Sequence, residues 1–193
     1  MPLNIATLIE MIRRSVLEVP ELPSNYCDRV FVGGNYNDTP TLRKIVDYIK
    51  ETGFTPILAL DVKNVPKKKI YYFDTTLVKL CRYAIFEVST GNGHMMEITH
   101  AVSVGTVVLT VYKVRSVRHR NPPPDVSSML TTLGVPMLAY HDDNRIRAII
   151  HMIFPGIRDD PRSAWVNIVQ ASHSPSWNKS WFASTIDYFL QHV

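Results

Sequence analysis

The sequence predicts an α/β fold in which helices cover both faces of a five-stranded parallel sheet, and three observations carry that expectation. Short β-branched runs alternate with apolar stripes at helical spacing through the middle of the chain, as a parallel sheet with crossover helices requires. Glycine, proline or aspartate stands near most of the places where one run hands over to the next. At 193 residues, with 46% hydrophobic and 20% charged residues, the chain has the size and composition of one globular domain with a sizeable core.

Taken in order, Arg29 to Val32 reads as a strand ending in Gly33 and Gly34. Thr39 is then expected as an N-cap with Pro40 at the first helical position, Leu42, Ile45, Val46 and Ile49 as the buried stripe, and Gly53 as the stop. Thr55 to Leu60 is the second strand, and Asp74 is expected to cap a helix carrying Leu77, Leu80 and Cys81. Tyr83 to Val88 reads as a central strand, Gly93 to Val104 as the helix bearing Glu97, and Thr106 to Val111 as another buried strand. Val126 to Leu133 is a short helix, Pro136 to Tyr140 the last strand, and Asn144 to Phe154 the closing helix. Right-handed crossovers between such units give a three-layer sandwich, flavodoxin-like or Rossmann-like.

The two ends fall outside this pattern. In residues 1–27 the spacing of Ile5, Leu8, Ile9, Ile12 and Val16 predicts an amphipathic helix that packs on the body or on a second copy. Glu10, Arg13 and Arg14 interrupt the apolar run that a signal peptide needs, and no stretch approaches the ~20 apolar residues of a membrane span. Residues 28–155 form the expected α/β domain. In residues 156–193, Trp165, Trp177 and Trp181 and a helical stretch from Lys179 to His192 predict a tail that packs on the core or a partner. Cys27 and Cys81 are too few for a disulfide framework, and a reducing cytoplasm is expected. The net charge of +4 allows an anionic ligand, but the basic residues do not form one stripe interleaved with aromatics, which argues against nucleic-acid binding.

Two connections carry charge runs: Lys67, Lys68 and Lys69 in one, and Arg115, Arg118, His119 and Arg120 before Pro122, Pro123 and Pro124 in the other. They read either as solvated surface or as a phosphate clamp.

Several chemistries fail on spacing. His94 and His100 lie six apart on a helix, ~240° around its axis, so they cannot share one metal ion with Glu97. The paired histidines of a zinc-protease helix, the phosphate-binding P-loop and the nucleophile-elbow serine are all missing. Gly33, Gly34, Asn35 and Tyr36 depart from the dinucleotide fingerprint, whose third glycine stands three residues beyond the second. No metal and no cofactor is expected.

What survives is Glu97, in the first turn of a helix that follows Gly91, Asn92 and Gly93. A carboxylate there is favoured by the helix dipole alone. Equally, the glycines let a ligand approach the backbone closely, the first amides of the helix can hold an anion or sugar hydroxyls, and the carboxylate can attack an anomeric carbon.

The order of elements, with FVGGNYND after the first strand, LCRYAIFEVS on the third, NGHMMEITHA on the next helix and then VVLTVY, resembles the nucleoside 2-deoxyribosyltransferase superfamily over about Arg29 to Phe154. That group includes the deoxynucleoside 5′-monophosphate N-glycosidases and, more distantly, the TIR-type NAD-cleaving domains. The resemblance implies Glu97 as a nucleophile toward a nucleoside or nucleotide. It implies a substrate pocket from Gly33, Gly34, Asn35, Tyr36, Ser89, Gly91, Asn92 and Gly93. The segment Val126-Ser127-Ser128-Met129-Leu130 is similar to the Ser-x-Met segment of the monophosphate N-glycosidases, which implies that Ser127 or Ser128 reaches a 5′-phosphate across a homodimer, with Met129 lining the pocket. Transferases of the group carry an aspartate shortly before the nucleophile, where this chain has Ser89, Thr90, Gly91 and Asn92. Asp61, Asp74 and Glu87 are the candidates to supply that acid. Three functions follow from these residues: cleavage of an N-glycosidic bond, by hydrolysis or base transfer; cleavage of NAD; or nucleotide sensing without turnover.

Overall fold

The computed structural model describes residues 25–61, 70–90, 94–114 and 123–160, with backbone alone at 70–73. The strands are β1 (Arg29–Gly34), β2 (Thr55–Leu58), β3 (Tyr83–Glu87), β4 (Val107–Lys113) and β5 (Met137–Tyr140). The helices are α1 (Thr39–Glu51), α2 (Ile70–Lys79), α3 (Met95–Ser103), α4 (Pro124–Leu133) and α5 (Asp143–Asp159). All four strand pairings are parallel and the order is β2-β1-β3-β4-β5. This is the expected three-layer α/β sandwich in its flavodoxin-like order, whose switch point lies between β1 and β3.

Alternation along the strands sorts the core into two layers. Val30, Val32, Ile85, Leu109 and Val111 face α1 and α5, where they meet Leu42, Ile45, Ile49, Ile150 and Phe154. Phe31, Ala84, Phe86 and Val108 face the other way and meet Leu77 and Val78 of α2, Ile98 and Ala101 of α3, and Val126 and Leu130 of α4. Every residue of β3 is buried, as a central parallel strand requires.

Several boundaries differ from the sequence expectation for physical reasons. The cap of α1 is Asp38, while Thr39 is the first helical residue and its hydroxyl bonds back to the Tyr36 carbonyl at 3.0 Å. β2 stops at Leu58, where its pairing with β1 ends, and Ala59 to Asp61 turn into a short 3-10 helix. Asp74 is no cap: α2 begins at Ile70, and Asp74 lies inside it, fully buried. α5 runs through Pro155 to Asp159 because its apolar stripe continues to Ile157, which is 1% exposed. Burying that side chain stabilises the last turn by about 2–3 kcal/mol, comparable to the cost of an interior proline. Arg158 holds the same end, through Asp28 Oδ1 at 3.0 Å and the Gly53 carbonyl at 3.1 Å.

The expected N-terminal helix, the Lys67–Lys69 and Arg115–Arg120 runs and the tryptophan-bearing tail lie outside the described residues. Among those that are described, no helix is long and apolar enough to cross a membrane.

Candidate active site

The carboxyl ends of β1 and β3 diverge at the switch point, and two side chains tie the loops that leave them. Asn35, the first residue after β1, donates from Nδ2 to Thr90 Oγ1 at 3.0 Å. Its Oδ1 accepts from the Asn37 backbone at 3.0 Å, which fixes the turn into α1. Tyr36 packs against both core layers from this turn, and its hydroxyl donates to Asp74 Oδ2 at 2.8 Å.

Asp74 in turn meets Glu97. α2 and α3 lie side by side on one face of the sheet, and across the gap between them the two carboxyl groups come close enough to share a proton, with Asp74 Oδ1 buried and otherwise without a partner. Two carboxyls bond in this way only if one holds a proton. Glu97 is 8% exposed and Asp74 fully buried. Burial, then the charge of Asp74 and the bond to it, push the Glu97 carboxyl up to about 8. Burial pushes Asp74 up to about 6, restrained by the hydrogen bonds from Tyr36 and Glu97. Burial and the two neighbouring acids push the Tyr36 phenol far above its ordinary range, so it stays a donor. Near neutral pH the pair therefore holds one proton and one negative charge.

A second carboxyl, Glu87 at the end of β3, faces the other core layer. Its Oε1 accepts from the Ser89 hydroxyl and from Tyr140 Oη, the latter at 3.0 Å, and burial raises it above the usual carboxylate range. His94, the residue before α3, sets its ring against the Thr90 backbone with Nε2 buried and without a partner, and burial holds it below the ordinary histidine range. The His100 ring lies against the Thr75 backbone instead. Among the described residues no group of three His, Cys, Asp or Glu side chains could hold a metal ion.

The residues singled out in the sequence thus divide. Asn35, Tyr36 and Glu97 converge on the switch point, with Asp74, one of the three candidate acids. Asp61 is exposed and pairs with Arg43 of α1, and Glu87 pairs with Ser89 and Tyr140. Gly33 and Gly34 lie within β1, in register with Phe86 and Glu87, and a Cβ on Gly33 would stand 2.5 Å from Phe86 Cε1. Close packing inside the sheet is thus reason enough for that glycine. Ser127, Ser128 and Met129 lie on α4, and Met129 Sδ sits 3.8 Å from Thr99 Oγ1, on the flank of α3 opposite to Glu97. Gly91, Asn92 and Gly93 lie outside the described residues. The sequence reading missed Thr90, His94 and Tyr140. Only the polar character of Thr90 and His94 beside the glycines signalled them, and nothing local marked Tyr140.

No protein-family model matches the sequence, and comparison with curated proteins gives no match. Solved structures of similar outline include a CMP N-glycosidase from Clostridium botulinum, 16% identical with a TM-score of 0.46 over 62% of this chain and 96% of that one. A putative pilus assembly-related protein from Burkholderia pseudomallei is 8% identical, with a TM-score of 0.42 over 80% of this chain and 98% of its own. A diflavin flavoprotein from Nostoc is 15% identical, with a TM-score of 0.36 over 67% and 89%. A shared outline at this level says nothing of a shared reaction.

Proposed function

We propose that the protein cleaves the N-glycosidic bond of a nucleoside or nucleoside 5′-monophosphate, with Glu97 as nucleophile and Asp74 as the proton carrier. The observation that carries this reading is the Asp74–Glu97 pair, buried beside the switch point of a parallel sheet, where ligands of this architecture bind. A carboxylate that must attack carbon and an acid that must protonate a departing base are both present in a pair that shares one proton. The sequence resemblance to the nucleoside 2-deoxyribosyltransferase superfamily points the same way.

The shared proton rests on Glu97, the less acidic of the two, and the reacting form is the tautomer in which it has crossed to Asp74 and left the charge on Glu97. Glu97 attacks the anomeric carbon as the bond to the base nitrogen breaks, and the Asp74 proton passes to that nitrogen. The product is a glycosyl ester on Glu97 and a free base. Water then attacks the same carbon, Asp74 takes the water proton, and the ester bond to Glu97 breaks. A second base in place of water makes the reaction a transfer. Tyr36, donating to Asp74 Oδ2 at 2.8 Å, keeps that carboxyl oriented through both steps. Ser128 is exposed on α4, on the far flank of α3 from Asp74, so a contact from it to the substrate phosphate calls for a second copy.

The test is chromatographic: purified wild type, Glu97→Gln and Asp74→Asn are incubated with deoxynucleosides, their 5′-monophosphates and NAD. Base released by wild type and lost in Glu97→Gln supports the reading and identifies the substrate class. Nicotinamide as the only product would move the assignment to NAD cleavage. A protein that binds a nucleotide and releases nothing is a sensor.

A further inference from the structure

Glu87 is the buried acid that the proposed reaction leaves without a task. It is 3% exposed and ends the central strand. A carboxyl in that position costs stability that an apolar side chain would not, so its contacts call for a reason beyond packing. Those contacts all lead to the point where the chain leaves the sheet for α3. The Ser89 hydroxyl donates to Glu87 Oε1, and Tyr140 Oη reaches the same oxygen from β5 at 3.0 Å. The Ser89 backbone amide lies 3.4 Å from Oε2. Ser89 Oγ also accepts from the Lys113 backbone amide at 2.6 Å, beyond the last ladder bond between β3 and β4, Val88 N to the Val111 carbonyl at 2.9 Å. Side chains therefore continue the sheet where the strand has ended. The next residue, Thr90, is held on one side by Asn35 Nδ2 at 3.0 Å, and the His94 ring lies against its backbone on the other. His94 is the last residue before α3, and Glu97 stands three positions on.

We propose that Glu87 and Tyr140 are positioning residues, which act through Ser89 to fix where the chain enters α3 and so hold Glu97 against Asp74. This rests on the glycosidase reading only in giving Glu97 the nucleophile's part. The physical logic is that of a supporting shell. A nucleophile on the first turn of a helix is placed no better than the turn that delivers it, and a misplacement of ~1 Å costs on the order of 100-fold in rate.

Ser89→Ala and Tyr140→Phe test this without altering any carboxylate, and Ser89→Thr restores the hydroxyl. The carboxyl titrations of Asp74 and Glu97 are followed by NMR on protein labelled at the side-chain carboxyl carbons, which needs no substrate. In folded Ser89→Ala and Tyr140→Phe the Glu97 midpoint is expected to move by about half a pH unit or more, and in Ser89→Thr to return toward wild type. Where turnover is measurable, kcat falls about 10-fold in the first two variants while KM changes less than about 3-fold. A residue that only stabilises the sheet would lower the melting temperature and leave the titration alone. Unmoved Asp74 and Glu97 titrations in folded Ser89→Ala and Tyr140→Phe overturn the proposal. A wild type inactive on every substrate overturns the glycosidase reading instead, and the titration still decides the positioning role.

Discussion

The carboxyl groups of Asp74 and Glu97, on neighbouring helices, lie close enough to share a proton, and a hydrogen bond between them exists only while the pair retains it. Burial places the two titrations near pH 6 and pH 8 rather than in the ordinary carboxylate range. If Glu97 attacks and Asp74 supplies the proton, the singly protonated pair is the working form. Below about 6 both groups are protonated and no nucleophile exists; above about 8 both are charged and no acid remains. A bell-shaped kcat/KM profile between those limits is expected, with the midpoints belonging to the pair. A rate that rises once and stays flat to pH 9 or so would contradict the shared proton.

Glu97→Gln removes the carboxylate proposed as nucleophile and keeps its shape, with an amide that can still donate to Asp74. Turnover is expected to fall by at least about 1000-fold with nucleotide binding retained, measured by base release and by calorimetry. The same substitution should stabilise the fold at alkaline pH. The folded-state value of Glu97 is raised from about 4.5 to about 8, so the folded protein binds the extra proton in that window. That stabilisation is complete below about 4.5 and is lost as pH rises through about 8. Melting curves at about pH 8.5 should therefore place Glu97→Gln above wild type by on the order of 2 kcal/mol, or several degrees, with the gap closing toward acid pH.

Tyr36→Phe deletes the donor to Asp74 Oδ2 and nothing else. The hydrogen bond favours the charged form of Asp74, so without it the Asp74 midpoint rises and the acid limb of the profile moves to higher pH. Tyr36 also orients the acid that must reach the departing nitrogen, and since a misplacement of ~1 Å costs on the order of 100-fold, kcat/KM at neutral pH is expected to fall about 10- to 100-fold. An unshifted acid limb in this variant would remove Tyr36 from the site.

How far the sequence carried these conclusions differs by kind of contact. The stripe Leu42, Ile45, Val46 and Ile49 announces α1 because its spacing is local, and all four side chains are buried as that spacing requires. The two-layer core follows equally from strand alternation. The helical stripe after Asp74 points to a cap there, yet the helix starts four residues earlier at Ile70, so the same side chain meets Tyr36 and Glu97 from the second turn. A cap at that position gives no sign of the contact with Glu97. Tyr36 and Asp74 are 38 positions apart, and Glu87 and Tyr140 are 53 apart. Such pairs are set by the order of the strands in the sheet, which no window of sequence contains. Glycines mislead in the opposite sense: Gly33 follows a strand as a ligand-binding glycine does, but packing against Phe86 already demands it.

Gly33→Ala separates those two roles. The new methyl would stand 2.5 Å from Phe86 Cε1 and 3.0 Å from Phe31 Cε1, inside a core where both rings are fully buried and lie 5.7 Å apart. Neither ring has room to move without disturbing β1 or β3, so the variant is expected to lose about 1–3 kcal/mol of stability in urea unfolding. If Gly33 serves the sheet alone, the folded fraction of Gly33→Ala keeps its KM for the substrate and the upper limb of its pH profile, because Asp74 and Glu97 lie on α2 and α3. A KM raised ten-fold or so in protein of near-normal stability would instead put the Gly33 backbone against the substrate.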